Sequence, residues 1–326
     1  MSEKLIYLTK YTKLRGIGLD CAVIPLKRHD LFLIQTTDFF YPIVDDPILM
    51  GRITFANVVS DLYSLGVHEI DSVSILISTP EDMPKDEQNV ALPGIIEGFK
   101  QSATIANVKL LLGAVNENPW MIIGGIASSI CARNEFIMPD AAQIGDVLVL
   151  TKALGTQVAA LVLQHLSNDN EQAKKLLHNF SQENLDQAVQ QSHKSMARLN
   201  LSASRLMHKY CAHGCTDVTG FGILGHAQNL LDCQKENVNF VIEKLPIIQH
   251  LTKAAQILNH SRLLCGTSAE TSGGLLIVLP ESCAKEYCDE IKLLDNETAW
   301  IIGKVVCGSK QAQIVENVEI IEYLSK

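Results

Sequence analysis

The chain has 326 residues, of which 47% are hydrophobic and 19% are charged, and its formal net charge at pH 7 is −9. This length and composition are those of a folded protein with about two domains, and they exclude a disordered or fibrous chain. The acidic balance, without any basic stretch, disfavours nucleic acid and anionic membrane surfaces as partners.

The first predicted elements form one α/β layer. Two short apolar runs, at 21–26 and 31–36, predict a β-hairpin. Hydrophobic periodicity then predicts, in order, a helix at 50–65, a strand at 72–78, a helix at 90–106, and strands at 108–112 and 120–131. This β-β-α-β-α-β-β order is typical of helices packed on one sheet.

A second domain is predicted after residues 133–145, which have the composition of a boundary. We therefore assign residues 1–138 to an N-terminal domain and residues 139–326 to a C-terminal domain. In the second domain the sequence predicts a strand at 146–151, a polar helical region at 167–197, and strands at 274–279, 300–306 and 313–315.

No run of about 18 apolar residues predicts a membrane span, and the first residues lack the layout of a signal peptide. We therefore expect a cytoplasmic protein. The nine cysteines are scattered and include no CxxC pair. This usage predicts free, mostly buried thiols in a reducing compartment rather than a disulfide framework or a zinc-finger site.

The first two candidate segments carry an acid beside a predicted strand. In residues 16–20, GIGLD, two glycines precede Asp20. Glycine lets the backbone approach a phosphate and Asp20 can hold a hard cation, although a plain turn into a strand has the same pattern. Asp38 follows the strand predicted at 31–36, where it is either a ligand contact or a loop acid bonded to nearby backbone.

The third candidate is a polar pair on the first predicted helix. Asn57 and Asp61 are four residues apart, which places both side chains on one helix face. Polar groups within an otherwise apolar helix are costly to bury unless they have partners. The pair is therefore either part of a site or a solvent-facing pair, and the sequence leaves both open.

The fourth candidate is the densest, residues 213–226 (HGCTDVTGFGILGH). Its closely spaced glycines predict a tight turn before a helix, with Asp217 held over an anion or a metal. His213, Cys215 and His226 match no zinc spacing, so we expect them to pack in the core. A fifth segment, ETSGGLL at 270–276, is either an anion-binding turn or a simple turn.

Four acids on separate segments, without a matching set of histidines and cysteines, favour oxygen-ligated Mg²⁺ over zinc or iron. These acids are Asp20, Asp38, Asp61 and Asp217. Mg²⁺ commonly accompanies phosphates, so the set predicts nucleotide chemistry. The chain has neither a P-loop nor a protein-kinase signature, so any ATP site must belong to another fold.

The segments that carry these residues resemble selenophosphate synthetase (selenide, water dikinase), and they resemble its animal forms more closely than its bacterial ones. The longest match is TTDFFYPIVDDPILMGRITFANVVSDLYSLGV at 36–67. Further matching segments are NEFIMPD at 134–140, GDVLVLTKALGTQVA at 145–159, MARLN at 196–200, TDVTGFGILGHAQNL at 216–230 and ETSGGLLI at 270–277. They follow the family order over most of the chain.

The resemblance implies a two-domain α/β (α+β) fold like that of aminoimidazole-ribotide synthetase. Its N-terminal domain would form a sheet or barrel across a homodimer, and its C-terminal domain an α/β sandwich. The family reaction takes selenide, ATP and water to selenophosphate, AMP and phosphate. By this resemblance Asp20, Asp61 and Asp217 would hold Mg²⁺, and the nucleotide would contact Gly18, Leu19, Asp20, Asp38 and Gly113.

Two segments depart from the family pattern. Between Gly16 and Ile17 the sequence has no Gly-rich stretch with Cys or selenocysteine followed by lysine, so no catalytic residue is identified. At 112–115 the chain has LGAV where the family has a Gly-Gly-His/Gln-Thr-like loop that contacts ATP. The alternative function is therefore a catalytically impaired paralogue that acts as a regulator or binding partner. A third possibility, a purine-pathway ring-closing ligase of the same superfamily, is disfavoured by the animal-type motifs.

Overall fold

The computed structural model describes residues 20–27, 30–113 and 115–325. Its first sheet has the strand order β1-β2-β6-β3-β4, with β5 also paired to β3. These strands are β1 (Ala22–Pro25), β2 (Leu31–Phe40), β3 (Ser72–Pro80), β4 (Lys109–Leu112), β5 (Asn116–Asn118) and β6 (Ile122–Ala132). Helices α1 (Pro47–Ser64) and α2 (Lys85–Ala106) pack together on one face of this sheet.

Strand β3 shows why one face of the first sheet is covered. Its residues alternate between buried and half-buried, with Val73, Ile75 and Ile77 turned to the helices. Such alternation is typical of a sheet whose two faces differ in solvent exposure. The covering helix α1 begins at Pro47, and the Asp46 carboxylate accepts hydrogen bonds from the first free backbone N–H groups.

The second sheet has the order β12-β9-β11-β7-β10-β8. Its strands are β7 (Asp146–Leu150), β8 (Gly214–Asp217), β9 (Val238–Ile248), β10 (Leu275–Pro280), β11 (Trp300–Cys307) and β12 (Ala312–Tyr323). Its helices are α3 (Thr156–Ser167), α4 (Glu171–Asn179), α5 (Gln182–Ala197), α6 (Leu201–Lys209), α7 (Gly222–Asp232), α8 (Leu251–Ile257) and α9 (Glu281–Asp295).

Both faces of the second sheet are covered. Strand β7 is buried throughout, because Leu148 and Leu150 belong to one hydrophobic core while Val147 and Val149 belong to another. A continuous apolar strand is typical of a sheet with helices on both sides. The C-terminal half is therefore a layered α/β structure, as expected from the sequence, whereas the division at residue 138 stays a prediction.

The structure corrects several element boundaries. Helix α2 begins at Lys85, five residues before the predicted start at residue 90. The polar region at 167–197 contains α4 and α5 as separate helices after the last residue of α3. The strand predicted at 313–315 extends to Tyr323, because its parallel pairing with β9 continues after an irregularity that follows Ile314.

The thiol prediction is half right. All nine cysteines lie in the described part of the chain, and no disulfide joins any of them. The expectation that most are buried is wrong, since only Cys21, Cys131 and Cys215 are buried. Cys233, Cys283 and Cys288 are partly buried, and Cys211, Cys265 and Cys307 are exposed. Across the described residues, no helix is both long and apolar enough to span a membrane.

Candidate functional site

The seam between the two sheets collects the predicted acids. Asp61 lies on α1, Asp217 ends β8, and Asp20 lies two residues before the first residue of β1. The charges of Asp217 and Asp20 raise the pKa of Asp61, and the charge of Asp20 raises the pKa of Asp217. We call Asp20, Asp61 and Asp217 the acid cluster. Asp38, on β2, lies beside it and also acts on Asp61 and Asp217.

Hydroxyl groups act on each member of the acid cluster. Thr36 Oγ1, on β2, donates to Asp61 Oδ2 at 2.5 Å. Thr216 Oγ1, on β8, donates to Asp20 Oδ1 at 3.1 Å. The hydroxyl of Ser60 lowers the pKa of Asp217 against the effect of burial. Because these donors come from both sheets and from α1, the cluster exists only in the assembled fold.

Helix α1 supplies a polar face to this site. Asn57, Ser60, Asp61 and Ser64 have i, i+3, i+4 and i+7 spacing, which places them along one side of the helix. Ser64 Oγ donates to the backbone carbonyl oxygen of Asp61 at 2.7 Å, and the Ser64 hydroxyl lowers the pKa of Asp20 against the effect of burial. The solvent-facing alternative for Asn57 is excluded, because this side chain is buried.

Asn57 connects Asp38 to the C-terminal half. Its Nδ2 donates to Asp38 Oδ2 at 2.5 Å, and its Oδ1 accepts from the backbone N–H of Ser272 at 3.2 Å. Ser272 belongs to the ETSGG segment at 270–274, so this segment contributes backbone groups to the site. The carbonyl oxygen of Ser272 accepts a hydrogen bond from Nζ of the buried Lys152 at 2.8 Å.

The carboxyl groups of the cluster resist ionisation together. Burial, followed by the charge of Asp20, raises the pKa of Asp217 to about 7. Burial raises the pKa of Asp20 to about 6, against the hydrogen bonds that it accepts. Burial and then the charges of Asp217 and Asp20 raise the pKa of Asp61 well above its usual range. Such a group of buried like charges is stabilised by a cation.

The donor set fits Mg²⁺ bound together with phosphates. Carboxylate oxygens are ligands that Mg²⁺ prefers, and it usually takes one or two of them while keeping waters and substrate phosphates. In the described ranges no three His, Cys, Asp or Glu side chains converge closely enough to hold a metal ion by themselves. A complete protein cage is typical of zinc or calcium sites, whereas Mg²⁺ usually keeps waters and substrate phosphates among its ligands.

The other candidate residues are distributed as follows. Gly18 and Leu19 lie outside the described residues. Gly113 follows β4, which is three strands from β2 in the sheet order, or about 14 Å at the usual strand spacing. The sheet therefore separates Gly113 from Asp38.

The histidines and the cysteine of the fourth segment were expected in the core; this is confirmed for Cys215 and His226, which are buried, but is wrong for His213, which is half-buried. His213 Nδ1 lies 2.8 Å from Asp146 Oδ2, and Cys215 is buried. His226 Nε2 lies 3.1 Å from Thr219 Oγ1 and accepts from the backbone N–H of Phe221. The turn of this segment leads directly into α7, as its glycines predict.

Sequence reasoning missed Thr36, Ser60, Ser64, Thr216 and Lys152. The two serines of α1 carried a usable signal, because they complete the helical spacing of Asn57 and Asp61. Thr36 and Thr216 also carried one, since each lies one or two positions from a candidate acid. Lys152 had no local signal, because its partners are 46 and 120 residues away.

Comparison with known proteins agrees with this architecture. Residues 18–130 match the family model "AIR synthase related protein, N-terminal domain", and residues 143–316 match "AIR synthase related protein, C-terminal domain". In fold, the chain resembles AaThiL complexed with AMPPCP and TMP, with a TM-score of 0.71 at 20% identity over 97% of this chain and 92% of that one. The chain therefore belongs to the AIR synthase related proteins.

Closer relatives define the family more narrowly. "Selenide, water dikinase 2" of Mus musculus is 48% identical over 95% of this chain and 69% of its own length. "Selenide, water dikinase" of Dictyostelium discoideum is 44% identical over 98% of this chain and 93% of its own length. Within the AIR synthase related proteins, this chain is a member of the selenide, water dikinase family.

Proposed function

We propose that this protein uses ATP to phosphorylate selenide, with selenophosphate, AMP and phosphate as the products. The observation that carries the proposal is the acid cluster, which both halves of a selenide, water dikinase fold bring to one seam. Phosphoryl transfer needs positioning and charge neutralisation more than covalent chemistry from the protein. The carboxylates and hydroxyls at the seam supply groups for both positioning and charge neutralisation.

In this proposal Asp20, Asp61 and Asp217 hold Mg²⁺, which would neutralise the phosphate charge when bound. Thr36 and Thr216 orient the carboxylates of Asp61 and Asp20 through the hydrogen bonds described above. Fixed carboxylates do not have to reorganise as the nucleotide arrives, which lowers the cost of the reaction. Asp38, held by Asn57, would contact the nucleotide, as would Gly18, Leu19 and Gly113.

Phosphorus NMR tests the proposed reaction directly. The full chain with MgATP and selenide should form selenophosphate, AMP and phosphate. Formation of AMP should require selenide. Omitting selenide is the control for simple ATP hydrolysis. ATP hydrolysis to ADP alone, or consumption of ATP that selenide does not affect, would contradict the proposed reaction.

We also propose that the protein is a homodimer through the uncovered face of the first sheet. Phe39 and Ile130 lie on that face with 56% and 54% of their surface exposed. They belong to the paired strands β2 and β6, opposite the side that α1 and α2 cover. An exposed apolar sheet face is typical of an interaction surface.

Light scattering should give a mass of twice the 35.8 kDa of one chain. The variant Ile130→Lys should shift the equilibrium to monomer, because a lysine there buries a charge in the contact. Leu293→Lys is the matched control, since Leu293 is 82% exposed on α9, outside the first sheet. A monomeric wild-type protein at micromolar concentration would contradict the dimer.

A second candidate function, an impaired paralogue that acts as a binding partner, is favoured by one surface. Leu112 and Val115 are 62% and 45% exposed in the loop where the family pattern has polar nucleotide contacts. Apolar side chains in this loop would lower the affinity for ATP. Insertion of a family-type Gly-rich Cys-Lys segment between Gly16 and Ile17 should then raise selenide-dependent AMP formation. If the wild type is active and the insertion does not change selenide-dependent AMP formation, this candidate function is excluded.

A further inference from the structure

Ser272 combines two unusual features at the seam between the two sheets. Its φ is +46°, in the left-handed region that a serine adopts only at a cost in energy, and 1% of its surface is exposed. Its hydroxyl makes no hydrogen bond with any described residue. A costly backbone conformation persists where the surroundings impose it, and such residues cluster at functional sites.

The surroundings of Ser272 hold it by its backbone. Nζ of Lys152 donates to its carbonyl oxygen at 2.8 Å, and its N–H donates to Oδ1 of Asn57 at 3.2 Å. The next residue, Gly273, passes so close to the end of β8 that a Cβ there would overlap the carbonyl oxygen of Val218. Asn57 lies on α1, whereas Lys152 follows β7, so the Ser272 backbone joins the two halves of the protein.

The N–H of Ser272 fixes the orientation of the Asn57 amide. A backbone N–H can only donate, so the amide atom that faces it must be the oxygen. The NH₂ group of Asn57 then faces Asp38 and donates to Oδ2. The other carboxylate oxygen, Oδ1, accepts from the backbone N–H of Phe39 at 2.8 Å. Both oxygens of Asp38 are thereby held, and each keeps a lone pair for a further donor.

We propose that Ser272 is a positioning residue that acts on Asp38 through Asn57. Lys152 maintains the backbone conformation that this role requires. We call the series from Lys152 through Ser272 and Asn57 to Asp38 the backbone relay. The inference rests on the proposed function, because that function makes Asp38 a contact of the nucleotide. The relay gives the C-terminal half a part in a nucleotide contact that a strand of the N-terminal half makes.

The environment of Asp38 explains why its carboxylate needs such support. Burial raises the pKa of Asp38, whereas the hydrogen bonds from Phe39 and Asn57 lower it and so favour the ionised form that accepts from a ligand. An Asn57 amide turned the other way would present its oxygen to this carboxylate, and the two groups would repel. The left-handed conformation of Ser272 excludes that arrangement, because it directs the N–H to the amide oxygen.

The test measures the affinity of the full chain for a non-hydrolysable ATP analogue with Mg²⁺ by isothermal titration calorimetry. Ser272→Val places a β-branched side chain where the backbone is left-handed, which displaces the backbone from that region. The affinity for the analogue should fall about 10-fold or more, the loss expected for a hydrogen bond to a charged group. Ser272→Gly is the conservative variant, because glycine adopts the left-handed conformation freely, and it should restore the affinity that Ser272→Val loses.

A second set of variants asks whether the effect passes through Asp38. Lys152→Met and Asp38→Ala should each weaken binding of the analogue, the latter about 10-fold or more. In the Asp38→Ala background, neither Ser272→Val nor Lys152→Met should weaken it further, because the contact that they support is already lost. If Ser272→Val does not fold, Lys152→Met with and without Asp38→Ala decides the proposal.

A purely structural role for Ser272 would give a different pattern. Ser272→Val would then lower the free energy of unfolding and leave the affinity of the folded protein unchanged, or its loss of affinity would multiply with that of Asp38→Ala. Failure of Ser272→Gly to restore the affinity would assign the effect to the serine side chain instead. Each of these results would overturn the relay, as would wild-type affinity in Asp38→Ala.

Cys211→Val is the matched control. Cys211 is also left-handed, with a φ of +53°, but it precedes β8, whereas Asp217 ends that strand. This variant should lose stability and keep wild-type affinity for the analogue. An equal loss of affinity in Cys211→Val would attribute the effect to lost stability and overturn the relay.

Selenide-dependent AMP formation, measured separately, distinguishes the two proposals. A wild type that binds the analogue but forms no AMP with selenide would overturn the proposed function alone, since binding of the analogue still decides the relay. A wild type that does not bind the analogue would overturn the relay as well.

Discussion

Two sets of buried ionisable side chains lie close together: Glu270 with Lys152, and the acid cluster. The protein provides hydrogen-bond partners for the two sets to different degrees. Glu270 accepts hydrogen bonds from the backbone N–H groups of Gly155 and Thr156 and from the hydroxyl of Thr156. Lys152 donates to the carbonyl oxygens of Arg198 and Ser272. Both charges are thus surrounded by partners that stabilise the fold at the start of α3 and in the 270–274 loop.

The acid cluster differs because its members face one another. Burial raises the pKa of Glu270 to about 7, the same value as for Asp217. For Glu270 burial acts against three hydrogen bonds, whereas for Asp217 the charge of Asp20 adds to burial. A displaced pKa therefore does not by itself identify a functional carboxyl group. The charge of Lys152 lowers the pKa of Asp217 less than the charge of Asp20 raises it, so repulsion among carboxylates is the better indicator of a metal-binding role.

The largest expected effect comes from neutralising the cluster. Asp217→Asn keeps the size of the side chain but removes a charged ligand, so selenide-dependent AMP formation should fall on the order of 10²–10³-fold. The variant should stay folded, because it also relieves repulsion from Asp20 and Asp61. Enzyme assays and circular dichroism check both points. Asp232→Asn, at an exposed position on α7, is the control. Wild-type turnover in Asp217→Asn would remove Asp217 from the site.

The second effect should be on stability. Lys152→Met leaves the carbonyl oxygens of Arg198 and Ser272 without their donor, and an unsatisfied buried acceptor costs about 1–3 kcal/mol. Relief from burying a charge offsets part of this, so the free energy of unfolding should fall by roughly 2 kcal/mol. Urea unfolding measures the change, with the exposed Lys100→Met as control. A more stable Lys152→Met would show that Lys152, too, is unsatisfied.

The third effect is a pH dependence. The folded-state pKa of Glu270, about 7, lies above its ordinary value of 4.5, so protonation of this group favours the folded state. Its contribution is complete below about pH 4.5 and is lost as the pH rises through about 7. Glu270→Gln removes this titration. From pH 5 to pH 8, the wild type should therefore lose on the order of 1–3 kcal/mol more unfolding free energy than the variant.

Urea titrations at the two pH values give this difference. Glu316→Gln, at an exposed position of β12, provides the matched control and should follow the wild type. If Glu270→Gln showed the same pH dependence as the wild type, Glu270 would titrate alike in the folded and unfolded states. The contrast with the acid cluster would then have to rest on geometry alone.

The sequence by itself determined the local features of this protein. Periodicity predicted α1 and β3, and i, i+4 spacing placed Asn57 and Asp61 on one helix face. The glycines of residues 213–226 predicted the turn before α7. The motifs also identified the family, since each lies within a short continuous segment. These features depend on residues that are neighbours along the chain, so short-range patterns preserve them.

The tertiary structure alone decided how the site is held together. Asn200 meets Ser60 across 140 residues of chain, and Lys152 meets Ser272 across 120. Such hydrogen bonds leave no periodic trace, because each partner has an ordinary sequence context. The sheet order likewise separated Gly113 from Asp38, and pairing with β9 extended β12 beyond its predicted end. Contacts between distant segments arise only when both sheets pack, which is why spacing in the sequence could not predict them.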